Sequence, residues 1–324
     1  MKNKKGKFLW IFYGFVLMIL FLMSSTNLII KEHQNEVYPL SVIIEDAKDD
    51  NYVNFKKGMD QAAIEMNADV SFISLYETGN LSQQLELMSR EIQDGARALI
   101  VSPVDDRLLA EEITENRVGG PLVLLNSSLA GESVAAVITP DYYAMGQMLA
   151  NTVVREQSPQ LPVYLFASRP PAGSSARFQE GILAVLETNG RQTEFFQSRE
   201  SYNFRKKIEE LVYPGCRHVV VIALDSESLL DTAAVLADSS VYASYITGLY
   251  GRGSSVAILN YLDKGLITGL GVVDEYSAGY LSVRTAIEKI EKNTAAETIN
   301  LESYYVKKED VLTPKYEKML YPIE

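Results

Sequence analysis

From Tyr38 onward, short apolar runs alternate with amphipathic stripes, and that alternation dictates the class of fold. ALIV (Ala98 to Val101) is apolar without interruption, the pattern of a strand buried on both faces, as in a parallel sheet covered by helices. YPLSVIIE and DVSFISLY precede it as strands, and LVLLN and VAAVIT follow it. Between them lie helical stripes: Tyr52, Phe55, Met59, Ala62 and Met66 in one, then Leu81, Leu85, Met88 and Ile92 in the next, with Gly95 placed to cap its end. Asp141 opens a helix through Met145, Leu149 and Val153. After the loop SPQLP (Ser158 to Pro162) the pattern restarts. Strands VYLFA, TEFFQ, HVVVIAL, YASYITGLY and ITGLGVV are separated by helical segments, and INLESYYV is a last strand. Strands separated by helices give a parallel sheet, and two runs of them give two similar doubly wound α/β lobes with a cleft between.

In such sheets ligands bind outside the carboxyl ends of the strands. ALIV ends at Ser102-Pro103, because proline cannot donate to a ladder, and Asp105 and Asp106 then head a helical pattern. Each carboxylate is suited either to capping that helix or to facing a ligand.

Charge narrows the partners. The chain has 42 acidic and 30 basic residues, and four of the lysines (Lys2, Lys4, Lys5, Lys7) precede Phe8. A body this acidic is a poor partner for nucleic acid, whose binding rests on lysine and arginine neutralising phosphates. Cys216 is the single cysteine, so no intramolecular disulfide forms. With His218 it supplies two candidate metal ligands, short of the three or four a zinc site uses, and both read as strand-entry residues. His33 is the other histidine, and no cofactor is called for.

The four lysines precede FLWIFYGFVLMILFLM (Phe8 to Met23), and a weaker apolar stretch continues to Ile30. About 20 apolar residues span a bilayer, and lysines on the N-terminal side stay cytoplasmic. Ser24, Ser25, Thr26 and Asn27 offer no good small-x-small cleavage site, and no cysteine follows for lipid attachment. The expectation is an uncleaved single-pass anchor over residues 1–30, a tether over 31–37, and an extracytoplasmic body. Cleavage near Ser24 or Ser25 is the alternative.

Three segments in this order resemble the ribose-type periplasmic sugar-binding proteins, which share their fold with the ligand-binding core of lactose-repressor-like regulators. ALIVSPVDDRLLAEEI is similar to the family's strand, Pro-x-Asp, then helix. ITPDYYAMGQMLA (Ile138 to Ala150) and GLGVVDEYSAGYLSV (Gly269 to Val283) resemble its two crossovers between lobes. The resemblance implies a first lobe of 38–139 plus 274–301, a second of 140–273 plus 302–324, and a three-strand hinge about which the lobes close. It also implies a small polar ligand, a sugar or sugar-like compound, and one of two membrane partners: an ABC permease or a histidine kinase.

Family contacts transfer residue by residue. Asp105 matches an aspartate that grips sugar hydroxyls. Asp49, Asn51 and Tyr52 fall where a polar residue precedes stacking aromatics. Arg177 follows GSS (Gly173 to Ser175) where a clamp arginine is placed; a cation in a helix's first turn opposes the macrodipole and has no local reason to be there. Asp225 lies beyond HVVVIAL, as a ligand contact or an N-cap. Leu224, Tyr250 and Val273 depart from the family pattern, each replacing a hydroxyl-reading group, which weakens the case for an ordinary pentose or hexose. Two other classes share this fold. A repressor needs a helix-turn-helix, and an apolar segment stands in its place. A doubly wound enzyme would need a glycine-rich first loop, and DAKDDN has no glycine.

Overall fold

The computed structural model describes residues 3–25, 36–47, 50–115, 119–129, 131, 133–213, 217–292 and 294–322. The chain divides into an N-terminal unit ending at Val37 and a body from Tyr38. In the first unit, α1 (Asn3–Ser25) carries sixteen uncharged residues from Phe8 to Met23. At 1.5 Å per residue that run is about 24 Å long, against a hydrocarbon core of about 30 Å. No helix among the described residues is long and apolar enough to cross a membrane. Residues 26–30, counted in the expected span, lie outside the described residues.

The strands of the body are β1 (Tyr38–Ile43), β2 (Ala68–Ile73), β3 (Ala98–Val101), β4 (Leu122–Leu125), β5 (Ala136–Pro140), β6 (Val163–Ala167), β7 (Thr193–Gln197), β8 (Val219–Ala223), β9 (Ile246–Arg252), β10 (Gly269–Val273), β11 (Glu297–Leu301) and β12 (Ser303–Val306). Its helices are α2 (Val53–Met66), α3 (Leu81–Gln93), α4 (Asp106–Glu115), α5 (Tyr142–Glu156), α6 (Gly173–Thr188), α7 (Ser201–Val212), α8 (Ser226–Asp238), α9 (Ser240–Tyr245), α10 (Val256–Asp263), α11 (Glu275–Lys292) and α12 (Pro314–Leu320). They build two α/β lobes around six-stranded sheets, ordered β11-β5-β4-β3-β1-β2 and β12-β10-β9-β8-β6-β7. The first sheet is parallel throughout; in the second, β12 alone runs antiparallel, against β10. Every residue of β3 is fully buried, as its unbroken apolar run requires.

The chain passes between the sheets three times. Helix α5 follows β5 of the first sheet but packs on α6, β10 and β12. Helix α11 follows β10 of the second sheet but packs on α2 and the first sheet. The third passage splits INLESYYV at Glu302: Glu297–Leu301 joins the first sheet and Ser303–Val306 the second. YASYITGLY also divides. Its first part is helix α9, because the Ser239 hydroxyl caps it (3.4 Å to the Tyr242 N–H) and Tyr242 donates to Glu209 on α7 at 2.7 Å.

Glycines set both crossover helices. A Cβ on Gly279 of α11 would stand 2.0 Å from the Phe55 carbonyl oxygen, and one on Gly58 of α2 would stand 1.9 Å from that of Tyr276. The second lobe repeats the arrangement: a Cβ on Gly146 of α5 would stand 2.2 Å from the Phe178 oxygen, and one on Gly181 of α6 2.1 Å from the Tyr143 oxygen. Backbone therefore lies on backbone at each crossing, and any side chain forces the helices apart. Gly279→Ala and Gly146→Ala are each expected to destabilise the body by about 1 to 3 kcal/mol, the usual cost of overpacking. Thermal unfolding measures this, and an unchanged midpoint would contradict the close crossing.

Candidate functional site

The carboxyl ends of both sheets face each other across the cleft. From the first lobe come Glu45 and Asp46 after β1, Asp106 after β3 and Asn126 after β4, together with Glu275 at the start of α11. The second lobe contributes Arg169 after β6, Asp225 after β8 and Arg252 at the end of β9. They line two adjoining compartments. One of about 120 Å³ holds Glu45, Asp46, Tyr52, Tyr142, Arg252 and Glu275; the other, about 220 Å³, holds Glu45, Asp106, Arg169, Arg199, Asp225 and Arg252.

Arg252 is the fixed point of this cleft. Its Nε donates to the Leu224 carbonyl at 3.1 Å and its Nη2 to the Ser174 hydroxyl at 3.2 Å. The guanidinium lies 4.7 Å from the Tyr142 ring centroid and 5.6 Å from that of Phe178, a double cation–π arrangement. Tyr142 in turn donates from the second lobe to Asn126 Oδ1 of the first, at 2.8 Å. Asn126 adopts φ 54°, a left-handed conformation asparagine tolerates, as β4 turns into the loop. A second bridge between lobes joins Arg169 and Asp46 at 3.9 Å, and Tyr52 donates to the same carboxylate at 3.3 Å.

Burial in the cleft shifts its acids. Glu45 is raised to about 7, first by loss of water and then by Asp46, with Asp106 adding slightly and Arg169 and Arg252 offsetting only part. Glu275 is also raised to about 7, by burial and then by Asp274, against Arg252. Asp46 is raised by burial, which outweighs the attraction of Arg169. Burial likewise holds the Tyr52 and Tyr142 hydroxyls protonated.

Of the residues singled out in the sequence, Tyr52 lines the smaller compartment and Asp225 the larger. Both Asp225 oxygens are engaged, accepting from the Ser228 and Ser168 N–H groups at 2.8 Å each. Asp105 caps α4, accepting from the Leu108 N–H at 2.9 Å, and lines neither compartment. Its neighbour Asp106 reaches the larger one while accepting from the Ser127 and Ser128 hydroxyls at 2.6 and 2.9 Å. Arg177 is half exposed, pairs with Glu180 at 2.5 Å, and lies 5.2 Å from the Tyr143 ring centroid. It borders a separate cavity of about 260 Å³ beside the passages between lobes, with Thr139 and Asn300. Asp49 and the Asn51 side chain lie outside the described residues, as does Cys216. His218 stands directly before β8, its ring 4.9 Å from that of Tyr245.

Glu45, Arg252 and Glu275 went unread in the sequence, although each is a charged residue at or just past the end of an apolar strand. Tyr250, two residues before Arg252, is fully buried with its hydroxyl 2.8 Å from Gln157, so β9 reaches the cleft through Arg252. Leu224 is fully buried and offers its backbone carbonyl, and Val273 lines the smaller compartment.

Residues 40–294 match the periplasmic binding protein domain, and the chain belongs to that family. The sequence matches no curated protein significantly. Among solved structures, it is similar to a carbohydrate-transporter solute-binding protein from Agrobacterium radiobacter in complex with D-arabinose, with TM-score 0.77 and 17% identity over 87% of this chain and 98% of that one. A solute-binding protein from Agrobacterium vitis bound with α-D-tagatopyranose gives TM-score 0.77 and 16% identity over 88% and 100%. A sugar-binding protein of a sugar ABC transporter from Bacillus halodurans gives 0.73 and 15% over 86% and 99%. These neighbours are binding proteins of transporters, not enzymes.

The raised acids give stability a definite pH dependence. Between the ordinary glutamate value of 4.5 and the folded value of about 7, the folded protein keeps protons that the unfolded chain releases. Stability from these groups therefore falls as pH rises through that window, and the penalty is fully present above it. Unliganded Glu45→Gln and Glu275→Gln should melt higher than wild type at pH 8, with the gap narrowing towards pH 5. Thermal unfolding across pH tests this, and a pH-independent gap would contradict the assignment.

Proposed function

We propose that the body is a solute-binding protein whose lobes close on a small polar ligand, a sugar or sugar-like compound, and deliver it to an ABC permease. The observation that carries this reading is Arg252, locked by Leu224 and Ser174 against two aromatic rings at the meeting of both compartments. A guanidinium held in this way presents its remaining N–H groups at fixed angles, which suits it to reading hydroxyl oxygens. The sugars bound by the structural neighbours support the same ligand class. Glu45, Glu275 and Arg252 join Tyr52 and Asp225 as the proposed contacts. In this reading Asp105 positions α4, and Arg177 serves the cavity beside the hinge. A thermal-shift screen of sugars and polyols tests the reading, since ligand at 100 times its dissociation constant stabilises by about 2.7 kcal/mol. Arg252→Ala should weaken the best ligand about ten- to a hundredfold, the loss of a charge-assisted hydrogen bond of about 1.5 to 3 kcal/mol. Undiminished affinity in that variant would remove the site from this cleft.

The sequence from Phe8 to Ile30, with its flanking lysines and no lipid-accepting cysteine, supports an anchored, extracytoplasmic protein. Protease added to intact cells should then degrade the body, while a mature form beginning near Ser25 in the medium overturns the anchor. The same segment favours a second reading, in which the liganded body signals to a membrane histidine kinase. Deleting the gene separates the two roles: lost uptake with intact ligand-induced transcription supports transport, and the reverse supports sensing.

A further inference from the structure

Among the described residues, the two compartments are lined by five carboxylates and three guanidiniums, a formal charge of −2 when all are ionised: Glu45, Asp46, Asp106, Asp225 and Glu275 against Arg169, Arg199 and Arg252. Three of these carboxylates already have partners. Asp46 is held by Tyr52 and Arg169, Asp106 by Ser127 and Ser128, and Asp225 by Ser168 and Ser228. Glu45 and Glu275 are different. Among the described residues their side chains make no hydrogen bond or ion pair, yet both line the same 120 Å³ compartment. Arg252, held by Leu224, Ser174 and the two rings, attracts both glutamates and offsets only part of what burial and the neighbouring carboxylates do to them.

We propose that this cleft selects a cation: a protonated amine carried on a small polyhydroxylated ring, its ammonium facing Glu45 and Glu275 and its hydroxyls facing Arg252 and Asn126. The proposal rests on the reading of the cleft as the solute site and adds the charge of the solute. A neutral sugar can donate hydrogen bonds to both glutamates, but above about pH 7 closing over it leaves two carboxylate charges that Arg252 offsets only in part, and incompletely compensated charge taken out of water is costly. An ammonium supplies the donors and the charge together. The acidity of the whole body draws such a ligand in the same direction.

The groups that set the pH response come from every wall. Glu45 faces Asp46 on its own loop, Asp106 of α4, Arg169 after β6 and Arg252 of β9; Glu275 faces Asp274 and Arg252. Lowering the pH through about 7 protonates both glutamates and removes the charge that holds the amine. Affinity for the amine should therefore fall on acidification, while that for a neutral analogue should not.

The test uses the full chain in detergent micelles, titrated calorimetrically with D-glucosamine and D-galactosamine, their N-acetyl derivatives, and D-glucose and D-galactose. The expected result is at least tenfold tighter binding of an amine than of its uncharged counterparts at pH 7.5, with that preference lost at pH 5.5. Glu45→Gln and Glu275→Gln should each cut the preference at pH 7.5, and the double variant should abolish it while still melting cooperatively. Equal or tighter binding of the neutral sugars, or a preference indifferent to pH or to both substitutions, overturns the cation and leaves the sugar-binding reading standing. Binding of no member of either series counts against both.

Discussion

Helix α11 leaves the second sheet at Val273 and seats Gly279 against the backbone of α2 in the first lobe, while α5 makes the reverse exchange and seats Gly146 against α6. Everything in the cleft depends on these two crossings. Each lobe's helical layer is completed by a helix that arrives from the other sheet, so neither core closes without the passages between lobes. The two caps that start these helices share one chemistry: Asp141 accepts from the Ala144 N–H and Asp274 from the Ser277 N–H, each at 2.9 Å. A short strand end and an aspartate cap thus fix where each helix begins, and the glycine fixes how closely it packs. Glu275, the first residue of α11, is delivered to the cleft by this geometry.

Around that frame the cleft is assembled from charges whose partners belong to different segments. Arg252 draws on a carbonyl of β8's end, a hydroxyl of α6 and the ring of α5's first residue, three segments separated by dozens of residues. Asp46 and Tyr142 reach across to the opposite lobe. Such contacts tie the two lobes together across the cleft. The site is consequently polar and charged at its centre, with its apolar surface supplied by the rings of Tyr52 and Tyr142 together with aliphatic residues such as Met145 and Val273.

Much of this was legible in the chain. The two runs of alternation and the buried ALIV strand point to the fold, since period is a local property of sequence; the close packing at Gly146 and Gly279 is a contact between helices that the structure supplies. The site was less legible. Asp105 and Asp106 are adjacent carboxylates at one strand end, and which of them caps and which reaches the cleft depends on where α4 begins relative to the loop holding Ser127 and Ser128. At Tyr250 and Arg252 the ambiguity is one of depth along a strand: both point to the same face, and only where β9 ends in the register with β8 and β10 decides which one emerges.

By itself the sequence determined that two parallel-sheet lobes form, that strand ends face a common space, and that the body is too acidic to suit polyanions. These follow from periodicity and composition, which need no knowledge of neighbours. Only the tertiary structure decided that Glu45, Glu275 and Arg252 share one compartment and that, among the described residues, the two glutamate side chains there have no hydrogen-bond or ion-pair partner. Positions 45, 252 and 275 are brought together by sheet order and by the crossing of α11. A carboxylate's proton affinity, moreover, is set by the water and charges that the fold removes from or places around it.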